Sequence, residues 1–469
     1  MKQYIYVGLG LATLFSSCIA GKKYTRPELD LPETYREQQV KVTADSVALS
    51  WRTFFKDPVL VELIEKSLKK NNDIQTAMLN MQQLELVYTQ ARKGLLPTVD
   101  LAIDGNRTWM SKNSLNGSLS EQFTSSSFMD DYAAVLRLSW EADIWGKAKA
   151  QKTEAQANFF AQKENLSALK TRIIVQVAQA YYNLMALDEQ LKVAEQNVEM
   201  SQTTLDMIRL QYNAAQVSSL AVGQAEAQKK TAELLIPQAK QSIAVQENAL
   251  SILCGNYPES IHRSGSLMKA MPEDTFPDGV PTALLSRRPD VKSAEYAVVA
   301  ANSRVGLAKV AMYPSFSIMP SIGVNSFNFN NWWDLPGSLV KTVAANISQP
   351  VFQKKALKTN YEVALLEQNK AAIQFKQSVM LAVGEVTDEL STIKYTNERL
   401  ALVAQKTVHL NKATDDAMLL YKNGMANYLE VITAQNNSLQ NELEAVSIKR
   451  DQLNALTNLY RALGGGFED

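Results

Sequence analysis

The chain has 469 residues, and its 48 Lys and Arg balance 48 Asp and Glu, so no global field draws nucleic acid or an acidic partner. With 46% hydrophobic and 20% charged residues but only 19 Gly and 14 Pro, the composition excludes a disordered chain and a loop-rich all-β fold, and points to helices. Two cysteines and two distant histidines exclude a disulfide framework and a zinc site.

The first element is a targeting segment, residues 1–17. Lys2 is its positive region, Ile5 to Phe15 form an apolar stretch too short to span a bilayer, and Ser16 and Ser17 precede Cys18. This resembles a bacterial lipoprotein signal, after whose cleavage Cys18 is the lipidated first residue of an N-terminal extension, 18–60. A single lipidated residue holds firmly only beside a second membrane element. No other uncharged apolar run reaches spanning-helix length, so that element is expected to be β.

A first repeat, 61–260, begins with a helix that ends at Pro97. Val99, Leu101 and Ile103 then alternate with Asp100, Ala102 and Asp104, the period of a strand with one apolar and one polar face. A Ser-rich polar connection, Ser111 to Ser127, leads to a second strand, in which Ala134, Leu136, Leu138 and Trp140 alternate with Val135, Arg137, Ser139 and Glu141. From Lys147 to Val222 there is no Gly or Pro. Ile173, Val177, Ala180, Leu184, Leu187 and Leu191 mark a coiled-coil-like stripe, continued by Val198, Leu205 and Ile208. Short polar residues from Tyr212 to Ser219 break this helix into a hairpin, because they compete for backbone hydrogen bonds.

A second repeat, 261–469, follows the same plan. Ala308 to Pro314 answers Ala91 to Pro97, Leu420-Tyr421 answers Gln211-Tyr212 about 209 positions on, and Leu463-Gly464-Gly465 answers Leu253-Cys254-Gly255. Its strands read Phe316, Ile318, Ile322 and Val324 against Ser315, Ser317, Ser321 and Gly323, then Val343, Ala345 and Ile347 against Thr342, Ala344, Asn346 and Ser348. A long helical run from Val351 to Asn423 turns at Asn423-Gly424 and resumes from Ala426 to Leu463. Trp109, Trp140, Trp145, Phe327, Phe329, Trp332 and Trp333 lie at strand ends, where a membrane barrel carries its aromatic girdle. Four strands cannot close a barrel, and an open edge in lipid leaves unpaired amides. The barrel is therefore expected to be shared between chains. Two copies give eight strands and a filled interior, three give twelve and room for a lumen, and the polar inward faces favour the wider option.

Several motifs now converge on a family. Tyr24-Thr25-Arg26-Pro27 with Leu31-Pro32, then Trp51 with Phe54-Phe55-Lys56-Asp57-Pro58 and Leu60, and later Leu284-Leu285-Ser286-Arg287-Arg288-Pro289-Asp290-Val291, resemble TolC-like outer-membrane efflux proteins. The match is to the NodT-like lipoprotein outlets of RND-type pumps, and it runs from Cys18 to about Gly466. The resemblance implies a mainly α fold with membrane β. In it a homotrimer shares a 12-stranded barrel in the outer membrane of a Gram-negative bacterium, continuing into a 12-helix periplasmic barrel. It implies a passive exit duct whose partners are a periplasmic adaptor and an inner-membrane RND transporter, with outer-membrane lipid around it. A type I secretion outlet and a poreless periplasmic coiled-coil scaffold are the alternatives.

The resemblance also assigns residues. The two turns fall at the periplasmic tip, making Ala215, Val217, Ser218, Gly424, Met425 and Asn427 adaptor-contact candidates. Glu430 stands where relatives carry a pore-facing acid, with Tyr421 and Thr433 as further constriction candidates. The pattern departs at Ala215, where relatives use Gly, at Ala221 and Thr433, where they carry acids, and at Ala426, where some carry a basic residue. Arg287 and Arg288 read as anchors of a helix start whose dipole Asp290 complements. Cys254 reads as a small packed thiol. No catalytic constellation, metal site or cofactor is expected beyond the lipid on Cys18.

Overall fold

The computed structural model describes residues 22–29, 31–32, 34–35, 50–111, 113–124, 126, 128–272 and 284–466; the expected signal segment and Cys18 lie outside them. Two compact units divide the chain. One gathers residues 1–27, 82–160 and 295–373, and the other 28–81, 161–294 and 374–469. Each sequence repeat therefore contributes to both units instead of forming a body of its own.

The first unit is built on a four-stranded antiparallel sheet in the order β1 (Thr98–Trp109), β2 (Phe128–Glu141), β3 (Ser315–Ser326), β4 (Leu339–Ser348). The register sets Leu101 opposite Leu136, Leu136 opposite Ile322 and Ile318 opposite Ala345, so the apolar residues of all four strands share one face. The β2–β3 ladder skips Leu138 and Ser139, beside Pro320, which has no N–H to give. The connection read as a polar loop holds a helix, α4 (Leu115–Thr124), started by Ser114, whose Oγ accepts the Gly117 N–H at 3.1 Å. The helix was legible in Leu115, Leu119 and Phe123, four residues apart, but the Ser-rich composition of the run hid that spacing. The helices of this unit pack through Tyr88 on Phe159 and Phe160 on Tyr296, with Arg304 bonded to Glu154 at 2.7 Å.

The second unit has its core around the N-terminal motif. Trp51, Phe54, Phe55, Leu60 and Ile64 are all at most 1% exposed and pack with Ile173, Tyr181, Leu184 and Tyr460. Each such side chain contributes about 1.5–3 kcal/mol by leaving water. Helix α1 (Trp51–Phe54) delivers the aromatics, and Phe54 stacks on Tyr460 at 4.7 Å. Asp57 then caps α2 (Pro58–Lys70), accepting from the Val59 and Leu60 amides, and also accepts the hydroxyls of Tyr181 and Ser264. The Phe-Lys-Asp-Pro motif is thus a helix start whose cap ties three chain segments together.

Beyond α3 (Asn72–Ala91), α7 (Leu284–Arg287) and α8 (Pro289–Val310), two helical hairpins complete the chain. They are α5 (Lys147–Asn213) with α6 (Ser219–Leu253), and α9 (Ala356–Lys422) with α10 (Tyr428–Ala462). In the hairpins the two copies agree to the residue, since α5 and α9 have 67 residues each and α6 and α10 have 35. Ile173, Val177, Ala180 and Leu184 are buried as the stripe predicts, but between 191 and 204 the buried positions are Val193, Ala194, Asn197, Ser201 and Thr204. At Thr204 a cross-helix bond from Gln435 at 2.8 Å goes with the change, and Gln179 to Asn458 at 2.8 Å and Asn441 to Thr407 at 2.7 Å are further polar pairs between the long helices. Polar side chains paired across a coil fix its register, and they escape a search for apolar periodicity.

Candidate functional site

Outward and inward faces of the sheet differ sharply. Val99, Leu101 and Ile103, Leu136 and Leu138, Phe316 and Ile318, and Val343 and Ile347 form one apolar face. Its edge members are the most open: Val343 is 79% and Leu101 65% exposed, against 43% for Ile318 in the middle. Asp100, Asp104, Asn106, Arg137, Ser317, Ser321, Asn325, Thr342 and Asn346 line the other face. Strands of 10 to 14 residues match the length that crosses a bilayer with tilt. Arg107 sits on the apolar face, yet Asp130 holds it through two bonds of 2.6 and 2.8 Å, close to the loop end where a charge meets water.

The seven aromatics fall at the two ends of these strands. Trp109, Phe327, Phe329, Trp332 and Trp333 lie at the loop end, and Phe329 and Trp332 pack on Tyr132 at 5.4 and 5.9 Å. Trp140 and Trp145 lie at the helix end, where their indole N–H groups donate to Leu95 O at 2.9 Å and Pro314 O at 2.7 Å.

In the second unit the two hairpin turns are copies of one motif. Asn423, Gly424 and Met425 amides donate to Leu419, Tyr421 and Leu420 carbonyls; Ala214, Ala215 and Gln216 amides donate to Leu210, Tyr212 and Gln211. This is the Schellman closure, which needs a left-handed residue. Gly424 has φ +71°, and Ala215, which the sequence marks as a departure, takes φ +58° all the same. The motif's hydrogen bonds therefore overrule the side chain's preference. Asn427 caps α10 through the Leu429 and Glu430 amides, whereas Ser218 makes no such side-chain bond to α6.

The constriction candidates separate. Glu430 and Thr433 are exposed, and the Glu430 carboxylate accepts from Asn427 Nδ2 at 3.4 Å, so it also serves the helix start. Tyr421, by contrast, is 3% exposed, packed among Leu205, Ile208, Ala221, Ala225 and Val431, with a hydroxyl that has no hydrogen-bond partner among the described residues. It is a packing residue in this chain, not one on an open face, and burial raises its pKa. Val217 is half-buried against the same cluster, while Ala215, Ser218, Gly424, Met425 and Asn427 are exposed.

Arg288 is 3% exposed and bonds Asp290, Glu385 at 2.8 Å and the Ala462 carbonyl at 3.3 Å, which joins the start of α8 to α9 and the end of α10. Near it burial pushes the Glu389 carboxyl up to about 7, against the Asn458 hydrogen bond and Arg461. Cys254 is 1% exposed, and burial raises its thiol to about 11, as befits a packed side chain and not a nucleophile.

Comparison with known proteins matches residues 63–256 and 280–465 to the family described as outer membrane efflux protein. The cation efflux system protein CusC of Escherichia coli K12 is 25% identical over 460 residues, covering 97% of this chain and 98% of that protein. The solvent efflux pump outer membrane protein SrpC of Pseudomonas putida is 29% identical over 419 residues, covering 89% and 87%. Among solved structures, the open-state MtrE outer membrane channel of Neisseria gonorrhoeae superposes with TM-score 0.84 at 26% identity over 96% of this chain and 99% of that one. The outer-membrane channel OprN shares the fold with TM-score 0.87 at 22% identity over 96% and 100%. The chain belongs to the outer membrane efflux protein family and has the TolC-like fold of an outer-membrane exit channel.

Proposed function

We propose that three copies of this chain close one barrel and form a passive duct, fed by an inner-membrane RND transporter through a periplasmic adaptor. The duplication carries this reading. Pro97 and Pro314 lie 217 positions apart, and α5 and α9 start 209 apart. Moving the observed pair Thr98 and Ser139 by these two offsets gives Ser315 and Ser348, which is the observed β3–β4 register. The rule thus reproduces one hairpin from the other.

Applied to β2 and β3, the same rule pairs β4 with β1 of the next copy. Leu136 opposite Ile322 becomes Ala345 opposite Gly105, and Ala133 opposite Asn325 becomes Thr342 opposite Thr108. Apolar-face residues then meet apolar-face residues and polar meet polar, although a slip by one would have reversed every side chain. A double variant with Thr108→Cys and Thr342→Cys is expected to give a reducible covalent trimer in membranes, and Arg107→Cys with Thr342→Cys is not. Monomers only, or equal cross-linking by both, would refute the closure, and a covalent dimer would replace it with an eight-stranded barrel.

Relatives of comparable identity are named for cations, toluene and solvents. That spread supports a duct with a polar wall whose cargo is chosen upstream. No chemistry is assigned to the chain itself. Cys18 is proposed to carry the lipid anchor, and an intact mass of the mature protein decides it: absence of acyl groups removes the anchor.

A further inference from the structure

Within the first unit, a cavity of about 240 Å³ lies between residues 22–24, the first turns of α5 and the face of α8. Lys22, Lys23 and Lys149 surround it, Trp145 forms one wall, and Val299 and Val310 another. Among the described residues no acidic one lines it. Among the described residues none of the three lysines has an ion pair, because the acids of this region are engaged elsewhere: Glu154 with Arg304, Glu295 with Arg26, and Glu141 with Lys147. Asp143 caps the α5 N-terminus through the Ala148 and Lys149 amides, so the helix dipole is already answered.

Its position bears on what fills it. Trp145 is bonded to the carbonyl of Pro314, the residue before β3, and Asn302 Nδ2 donates to the Lys22 carbonyl at 3.0 Å. The Trp145 wall of the cavity is thereby held just past the strand ends, on the helix side of Val99, Phe316 and Ile347. In a barrel that spans a bilayer, that is the level at which acyl chains give way to headgroups. Lys22 also follows the proposed lipid on Cys18 by four residues.

We propose that Lys22, Lys23 and Lys149, around the Trp145 cavity, bind the phosphate of an anionic phospholipid of the periplasm-facing leaflet, with Val310 against its first methylenes. The inference rests on the outer-membrane reading and on the proposed anchor. A single acylated residue gains a firm hold from a basic patch beside it.

The test uses the full-length protein in nonionic detergent with phosphatidylglycerol, phosphatidylcholine or inorganic phosphate added, and counts retained lipid by native mass spectrometry. Wild type is expected to retain phosphatidylglycerol at least tenfold more strongly than phosphatidylcholine. Lys22→Gln, Lys23→Gln and Lys149→Gln together should abolish that preference, and Lys149→Gln alone should weaken it. A control with Lys163→Gln, Lys240→Gln and Lys412→Gln, equal in charge but in the second unit, should keep it. Equal retention of both lipids, unchanged preference in the triple variant, or full competition by millimolar phosphate would overturn the lipid site. Failure of barrel closure would appear in the cysteine cross-link and not in this preference.

Discussion

Three positions with left-handed backbone give a graded test of how the hairpin helices end. Gly255 has φ +71°, and a Cβ there would lie 2.5 Å from the Lys70 carbonyl oxygen, a backbone atom that cannot step aside cheaply. Gly424 has the same φ, but nothing lies within 4 Å of its Cβ position. Gly255→Ala therefore combines left-handed strain of about 1–2 kcal/mol with an overpacking cost of about 1–3 kcal/mol, whereas Gly424→Ala carries the strain alone. Ala215→Gly should relieve that strain and gain about 1 kcal/mol at most, less the entropy of a freer unfolded chain. At roughly 1.4 kcal/mol per tenfold, Gly424→Ala should speed amide exchange in its turn about 5- to 30-fold, and Gly255→Ala at the α6 end by about 30-fold or more. Ala215→Gly should slow exchange at Gln216. Exchange read by mass spectrometry on the detergent-solubilised protein measures all three. Equal effects of the two Gly→Ala changes, or faster exchange in Ala215→Gly, would refute the account of these turns.

Two more outcomes are expected. Glu389 has a folded pKa of about 7 against an ordinary 4.5, so its contribution to stability is fully present below about 4.5 and is lost as pH rises through 7. Exchange protection at the α9–α10 contact should accordingly fall from pH 5 to pH 8 after correction for intrinsic rates, and Glu389→Gln should flatten the trend; an unchanged slope would remove Glu389 as its cause. If Glu430 from three copies rings the tip, Glu430→Gln should lower cation selectivity and weaken block by divalent cations in planar bilayers. Unchanged reversal potential and block would leave it with only its bond to Asn427.

Much of this molecule was written in the order of its residues. The Gly- and Pro-free run from Lys147 and the turns at Tyr212 to Ser219 and Asn423-Gly424 marked where the long helices begin and break, although α6 holds Gly223 and Pro237 and α9 holds Gly384; period-2 alternation located all four strands, and the repeated Pro97 and Pro314 and the paired turns disclosed the duplication, because these are local or periodic properties of the backbone. The Phe-Lys-Asp-Pro and Arg-Arg-Pro-Asp motifs were visible as signatures. Only the tertiary structure showed what they hold: Asp57 gathers Tyr181 and Ser264, and Arg288 gathers Glu385 and Ala462, partners between about 100 and 210 positions away. Burial is likewise a property of neighbours. Tyr212 and Tyr421 occupy the same place in the two copies, yet Tyr212 is 46% exposed and Tyr421 is packed, since only Tyr421 has Leu205, Ile208 and Ala221 around it. Ala215 makes the same point for the backbone, because its side chain argues against a left-handed turn and two hydrogen bonds from the surrounding motif impose one.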